Sequence, residues 1–208
     1  MIFLDIETTP FFQDEHIKAL PRAQQIAAME FGLAVTIDDS VSLPRVWAKD
    51  RIVDLYNYLV WSGVEICGWN INHFDIPVII NNAKKAGWNV LEIEHETIQT
   101  FDMFAEIRKH TGRWYGLGVV SEATLGRSKL ADGQLAAEWL RSDDAADFQK
   151  AVEYCTSDVE IVRAMYEAWL DAAPIVLPPR IDRGELNAIN WWHYGGFERV
   201  PDATGAVS

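Results

Sequence analysis

The chain has 208 residues, nearly half of them hydrophobic, which is enough for one domain with a substantial core. Its formal net charge of −13 argues against broad wrapping of nucleic acid, which needs a basic surface. It leaves room for an enzyme that contacts a few nucleotides and neutralises their phosphates with metal ions. No run of about 18 apolar residues occurs, so a membrane span is not expected.

The two cysteines, Cys67 and Cys155, fit no metal-binding spacing and are too few for a disulfide framework. Both lie in apolar runs and are predicted to be small core residues of a protein in a reducing compartment. The chain enters an apolar strand directly at residue 2, without the basic segment of a signal peptide. A cytoplasmic location is therefore expected.

The first predicted strand, within residues 1–10, carries two acids where a buried strand needs none. Because successive side chains of a strand point to opposite faces, Asp5 and Glu7 share one face with Phe3. The opposite face carries Ile2, Leu4 and Ile6. Two neighbouring carboxylates repel each other and resist burial, and a divalent cation would relieve both effects. From this stretch alone, a metal site and a solvent-facing edge strand both remain open.

The remaining elements alternate between strands and helices. In chain order they are a short helix before residue 25, strands over 26–37 and 41–48, a helix over 52–59, a strand over 64–69, a helix over 76–87, a strand over 97–103, and helices around 103–110, 117–125, 130–140 and from about 145 to 170. Antiparallel strands followed by alternating strands and helices predict a mixed sheet flanked by helices. The predicted fold class is α/β, with a ribonuclease-H-like layout.

Residues 1–170 are predicted to form this one domain, and residues 171–208 a C-terminal tail rather than a second domain. Prolines at 174, 178 and 179 end the last helix. The tail contains an aromatic group at 191–194, which is predicted to pack on the domain.

Two further places carry acids that the local pattern does not require. Asp75 lies between a buried strand and a helix, where polar groups of α/β folds commonly face a site, although it could simply cap the helix. Tyr154 and Asp158 are four residues apart and therefore lie on one face of the longest helix. Asp158 directly precedes Val159 of the apolar stripe, so it is expected at the edge of the buried face.

Three segments together resemble the motifs of the DEDD superfamily of 3′–5′ exonucleases. The first is Phe3-Leu4-Asp5-Ile6-Glu7-Thr8-Thr9. The second is Gly68-Trp69-Asn70-Ile71-Asn72-His73-Phe74-Asp75-Ile76-Pro77, which resembles the form found in proofreading domains of family-B DNA polymerases. The third, Tyr154-Cys155-Thr156-Ser157-Asp158, is similar to the tyrosine version of the last motif. The segments occur in the family's order and span roughly residues 1–170.

This resemblance implies a ribonuclease-H-like fold and a site for two divalent cations, Mg²⁺ or Mn²⁺. It implies a carboxylate tetrad made of Asp5, Glu7, Asp75 and Asp158. Tyr154 would orient the attacking water, since a phenol with a pKa of about 10 is a poor base at neutral pH. Asn70 and Phe74 match residues that contact the terminal nucleotide by hydrogen bonding and stacking, although Phe74 could equally be plain core.

Two further charged residues and one basic stretch lie outside these motifs. Asp102 is predicted to be a helix cap, and Lys129 a solvated lysine rather than a phosphate contact. Residues 108–129 carry five basic residues against one acid and include Trp114 and Tyr115, which makes this stretch the one plausible basic patch.

The resulting prediction is a metal-dependent 3′–5′ exonuclease that acts on single-stranded 3′ ends, with DNA preferred over RNA. A polymerase or another replication or repair protein is a candidate partner, and no membrane partner is expected. Two alternatives stay open: an exoribonuclease that trims RNA 3′ ends, and a catalytically silent nucleic-acid-binding scaffold of the same fold. The same tetrad serves both nucleic acids, and discrimination between them depends on contacts to the 2′-hydroxyl.

Overall fold

The computed structural model describes residues 1–10, 12–41, 43–88, 98–171, 173–182, 185–191 and 197–199, with side chains up to residue 177. The described elements are β1 (Ile2–Thr9), α1 (Glu15–Lys18), α2 (Arg22–Ala28), β2 (Glu30–Asp38), β3 (Pro44–Ala48), α3 (Ile52–Trp61), β4 (Ile66–Gly68), α4 (Asp75–Lys85), β5 (Thr100–Asp102), α5 (Met103–Thr111), α6 (Leu117–Leu125), α7 (Gly133–Arg141), α8 (Ala145–Leu170), β6 (Ile175–Asp182), β7 (Glu185–Trp191) and β8 (Phe197–Arg199).

The main sheet has five strands in the order β3-β2-β1-β4-β5. The β1–β2 and β2–β3 pairs are antiparallel, whereas the β1–β4 and β4–β5 pairs are parallel. The predicted α/β class with a mixed sheet is therefore confirmed. Because β1 lies between β2 and β4, its interpretation as an edge strand is wrong.

Both faces of β1 are covered, as its alternating pattern predicts. Ile2, Leu4 and Ile6 are at most 4% exposed and lie in a core shared with α3 and α4. Phe3 lies in a second core, on the other side of the sheet, with residues of α5, α6 and α8. As the central strand of the sheet, β1 buries apolar side chains on both faces, and this burial fixes its register.

The predicted strand over 26–37 is wrong in its first part. Residues Arg22–Ala28 form α2, and β2 begins only at Glu30. The α2 segment contains three alanines and two glutamines, which favour a helix, and Ile26 is its only β-branched residue. Ile26 is the one buried residue of α2, so a single apolar side chain pointing into the core resembles the start of a strand.

The cap prediction for Asp102 is confirmed, because its carboxylate accepts a hydrogen bond from the Ala105 N–H at the start of α5. Asp144 likewise caps α8 by accepting from the Ala146 N–H. Cys67 and Cys155 are buried free thiols, as predicted. Within the described part of the chain, no helix combines the length and apolar composition needed to cross a bilayer.

After α8, the chain forms a three-stranded antiparallel sheet in the order β6-β7-β8. Ile175 and Leu177 of β6 are buried in the core beside α8, and Thr124 exchanges two hydrogen bonds with the Val176 backbone. The division of the chain at residue 170 stays a prediction. The predicted packing of the aromatic group at 191–194 lies outside the residues whose side chains the structure describes.

Candidate active site

Five side chains predicted from the sequence meet in one cavity of about 160 Å³. They are Asp5, Glu7, Asp75, Tyr154 and Asp158. The central strand β1 supplies the first two, the start of α4 supplies Asp75, and α8 supplies the last pair. The fold therefore brings together residues that are up to about 150 positions apart in the sequence.

The local course of β1 makes room for this cavity. Its parallel pairing with β4 covers only Ile2 and Phe3, and its register with β2 shifts between Glu7 and Thr8. Asp5 and Glu7 thus lie beyond the end of the parallel ladder, at the edge where polar groups of α/β sheets commonly form sites. Gly68 ends β4, and a β-carbon there would lie 2.9 Å from the Leu4 carbonyl oxygen, so this close approach requires glycine.

The carboxylates lie in an environment that disfavours their charged forms. Burial and the neighbouring charge of Asp158 raise the pKa of Asp5 to about 7. Burial and the charge of Asp5 also raise the pKa values of Glu7 and Asp75 well above their usual range. Such shifts mark a cluster that repels itself and that a bound cation would stabilise.

The prediction that Lys129 is a solvated lysine is wrong. Its ammonium lies 2.6 Å from Asp158 Oδ2, and its side chain is 31% exposed. Burial alone would lower the pKa of Lys129, but the charges of Asp158 and Asp5 outweigh burial and raise it. Lys129 therefore remains a fixed positive charge inside the acidic cluster.

Asp158 has one carboxylate oxygen that no described residue satisfies. Oδ2 pairs with Lys129, whereas Oδ1 is buried and has no hydrogen-bond partner in the described protein. An unsatisfied buried acceptor is costly unless a ligand completes it. Because hard divalent cations prefer carboxylate oxygens, the donor set of this cavity fits Mg²⁺ or Mn²⁺.

Cys155 lies directly behind the acidic pair of β1. One potential ligand atom from each of Asp5, Glu7 and Cys155 lies within 4.8 Å of the others. The Cys155 thiol is within hydrogen-bonding distance of the Asp5 backbone oxygen (3.4 Å) and of Asp5 Oδ2 (3.5 Å). Burial and the nearby carboxylates raise the pKa of this thiol, so it stays protonated and supports Asp5 as a weak donor.

Tyr154 is 2% exposed and lies one helical turn before Asp158. Burial and the charge of Asp158 raise the pKa of Tyr154 above its usual value, so the phenol keeps its proton. Burial also raises the pKa of Asp158, and the charge of Lys129 opposes that rise. The phenol is therefore a hydrogen-bond donor at this site, and not a base.

The second motif supplies a wall of the cavity through an unusual turn. Asn70 has a φ of 64°, in the left-handed region that asparagine tolerates better than most residues. The Asp102 carboxylate holds this turn by accepting from the Asn70 and Asn72 N–H groups at 2.9 and 3.0 Å. The same carboxylate caps α5, a double role that the sequence pattern does not indicate.

Phe74 borders both the core and the cavity. Its ring packs on Phe12 with ring centres 5.1 Å apart and contacts the core on the α4 side of the sheet. It also lines the cavity that contains the carboxylates. A partly exposed aromatic ring beside a cluster of carboxylates could stack on a nucleobase.

The stability of the metal-free protein is expected to fall as pH rises from about 4 to about 7. The pKa of Asp5 rises from 3.8 to about 7 on folding, so the folded state binds this proton more tightly than the unfolded chain. The stabilisation from this proton is complete below pH 3.8 and is lost as the pH rises through about 7. The charge of Asp158 reinforces the shift, whereas the charge of Lys129 and hydrogen bonds with Cys155 and Glu7 oppose it.

Melting temperatures measured with chelator across this pH range test the expectation. Asp5→Asn should flatten the decline, because the amide does not titrate. A wild-type melting temperature that rises steadily from pH 4 to pH 7 would contradict it.

Comparisons with known proteins agree with this architecture. A family model described as the RNase_H superfamily matches residues 2–170. Among solved structures, the chain is similar to the family B DNA polymerase from the hyperthermophilic archaeon Pyrobaculum calidifontis, with a TM-score of 0.60 and 16% identity. The match covers 81% of this chain and 24% of the polymerase, and it shows a shared fold. No curated protein matches the sequence. The chain belongs to the RNase_H superfamily.

Proposed function

We propose that this chain is a metal-dependent 3′–5′ exonuclease of the DEDD type, in its tyrosine version, acting on single-stranded DNA. The observation that carries the proposal is the single cavity in which four carboxylates and a protonated phenol meet. Membership of the RNase_H superfamily supports nuclease chemistry, and the likeness to a DNA polymerase supports an activity on nucleic acid.

Asp5, Glu7, Asp75 and Asp158 would hold two divalent cations, Mg²⁺ or Mn²⁺. The free Oδ1 of Asp158 and the raised pKa values of Asp5 and Glu7 support this assignment, because both are relieved by a cation. When bound, two such ions stabilise the attacking and leaving oxygens of an in-line phosphoryl displacement.

The protein's own residues have separate tasks in this proposal. Tyr154 donates a hydrogen bond that orients the attacking water, which it can do because its phenol stays protonated. Lys129 presents its ammonium at the rim of the cavity, where it neutralises charge on the scissile phosphate. Phe74 stacks on the terminal base, and Asn70 positions the sugar of the same nucleotide by hydrogen bonding.

A catalytically silent scaffold is a weaker explanation of the same cavity. A binding module has no need of an unsatisfied buried carboxylate oxygen or of clustered acids whose charges repel one another. Such features reduce stability and commonly persist where activity requires them.

The expected activity is the release of mononucleotides from a free 3′ end of labelled single-stranded DNA in the presence of Mg²⁺ or Mn²⁺. A strand with a blocked 3′ terminus should survive, because the terminal nucleotide must enter the cavity. RNA of matched sequence should be degraded more slowly. Cutting of a circular single strand would contradict an exonuclease, and faster degradation of RNA would favour the exoribonuclease alternative.

A further inference from the structure

A second cavity, of about 380 Å³, adjoins the one that contains the carboxylates. The two cavities share three lining residues, Asp5, Trp69 and Lys129. In the proposed function, the scissile phosphate lies beside Asp5 and Lys129, which line both cavities. A nucleic acid strand positioned there can place its terminal nucleotide in one cavity and the preceding nucleotides in the other.

The second cavity, which we call the aromatic groove, is bordered by Trp69, Asn70, Phe104 and Trp114. Three of its aromatic rings form a continuous series. The centres of Trp69 and Phe104 are 6.2 Å apart, and those of Phe104 and Trp114 are 4.9 Å apart. Trp114 nevertheless has 56% of its surface exposed. A large ring held in place by neighbours but open to solvent offers a surface on which a base can stack.

The groove also carries a cation suited to a phosphodiester and a hydrogen-bond acceptor suited to the N–H groups of a base. The guanidinium of Arg108 lies 4.1 Å from the centre of the Trp114 ring, and Arg108 itself is exposed. The Oδ1 atom of Asn70 is buried and has no hydrogen-bond partner among the described residues. The segment 108–129, which supplies five of the nine residues that line the groove, carries an excess of basic residues in an otherwise acidic chain. Stacking rings beside cations match single-stranded nucleic acid better than an apolar peptide or an acidic surface.

We propose that the aromatic groove binds the nucleotides immediately 5′ of the scissile phosphate, with the penultimate base stacked on Trp114. This inference rests on the proposed function and names the substrate segment that the site takes beyond its terminal nucleotide. Because every base has an aromatic face, the groove selects for unpaired strands and tolerates any sequence. A paired duplex cannot present a single base to Trp114, so a duplex end must fray before it binds.

The test measures binding rather than turnover, so it does not depend on hydrolysis. The probe is a 5′-fluorescein-labelled thymidine strand of about ten nucleotides, with phosphorothioate linkages at its 3′ end and Ca²⁺ replacing Mg²⁺. Fluorescence anisotropy gives the dissociation constant. Trp114→Ala should weaken binding roughly 5- to 100-fold, the range expected for the loss of one stacked base. Trp114→Phe keeps an aromatic ring and should retain most of the affinity.

A strand that lacks the penultimate base identifies the partner of Trp114. The wild type should bind this abasic strand about as weakly as Trp114→Ala binds the intact one. Trp114→Ala should lose little more on the abasic strand, because the same contact is already absent. Removal of the terminal base should instead weaken the wild type and Trp114→Ala by equal factors. Trp61→Ala is the matched control, since Trp61 is 73% exposed on α3 and lines neither cavity.

The outcomes separate this inference from the proposed function. Equal binding of the intact strand by wild type and Trp114→Ala, with folding confirmed by circular dichroism, would overturn the groove assignment. The assignment would also be overturned if the loss of affinity from Trp114→Ala and the loss from removing the penultimate base multiplied in full when the two changes are combined. Absence of hydrolysis in Mg²⁺ or Mn²⁺ together with the expected binding pattern would contradict the exonuclease and leave the groove standing.

Discussion

Asp5→Asn is expected to lower hydrolysis of single-stranded DNA about 1,000-fold or more while the protein stays folded. Loss of one ligand removes several kcal/mol of charge stabilisation in the transition state, and each ~1.4 kcal/mol corresponds to a tenfold change in rate. Asparagine keeps the shape of the side chain and removes a negative charge from a self-repelling cluster. The variant should therefore melt no lower than the wild type in chelator, which separates lost catalysis from lost folding.

The other carboxylates are expected to behave in the same way. Glu7→Ala, Asp75→Ala and Asp158→Ala should each nearly abolish hydrolysis and weaken Mn²⁺ binding in calorimetry. Asp143→Asn is the control, because Asp143 is exposed and lies outside the cavity. Near-wild-type activity in any two of the four tetrad variants would contradict the site assignment.

Tyr154→Phe is expected to reduce turnover about 10²–10⁴-fold, the contribution typical of a positioned proton-handling group. The change removes only the phenol oxygen and leaves the ring packed beside Trp139, with ring centres 6.5 Å apart. Mn²⁺ binding should survive in Tyr154→Phe and be lost in Asp158→Asn. Because the phenol stays protonated, the pH dependence of the remaining activity should keep its shape.

Tyr56→Phe provides a matched control for this change. Tyr56 is also fully buried, and its hydroxyl has no partner among the described residues, but it lies in the core on the other side of the sheet. It should leave turnover unchanged. Loss of Mn²⁺ binding in Tyr154→Phe as complete as in Asp158→Asn would instead make the phenol part of the ligand set.

Sequence periodicity predicts the features that depend on local geometry. The alternation of β1 places Asp5 and Glu7 on one face because a strand repeats every two residues. The spacing of Tyr154 and Asp158 places them together because a helix repeats every 3.6 residues. The strand and the helix that carry these residues also have clear apolar patterns. The sequence pattern alone is therefore sufficient to predict which face each residue occupies.

Contacts between distant segments leave no such pattern. Lys129 follows α6 in a loop without periodicity, and its partner Asp158 lies on a helix 29 residues later, so nothing local distinguishes it from a solvated lysine. The helical start of 26–37 is missed for a related reason. One apolar side chain, Ile26, meets the core there, and a single buried position fits a strand and a helix equally well.

Asp102 accepts hydrogen bonds from three backbone N–H groups, those of Asn70, Asn72 and Ala105. These groups belong to two chain segments that both contribute lining residues to the aromatic groove. Neither segment can open alone without leaving a buried carboxylate partly unsatisfied. The turn at Asn70 and the first turn of α5 thus form one cooperative unit of local unfolding. In native-state hydrogen exchange, the three amides should share one opening free energy, and a denaturant should release them together.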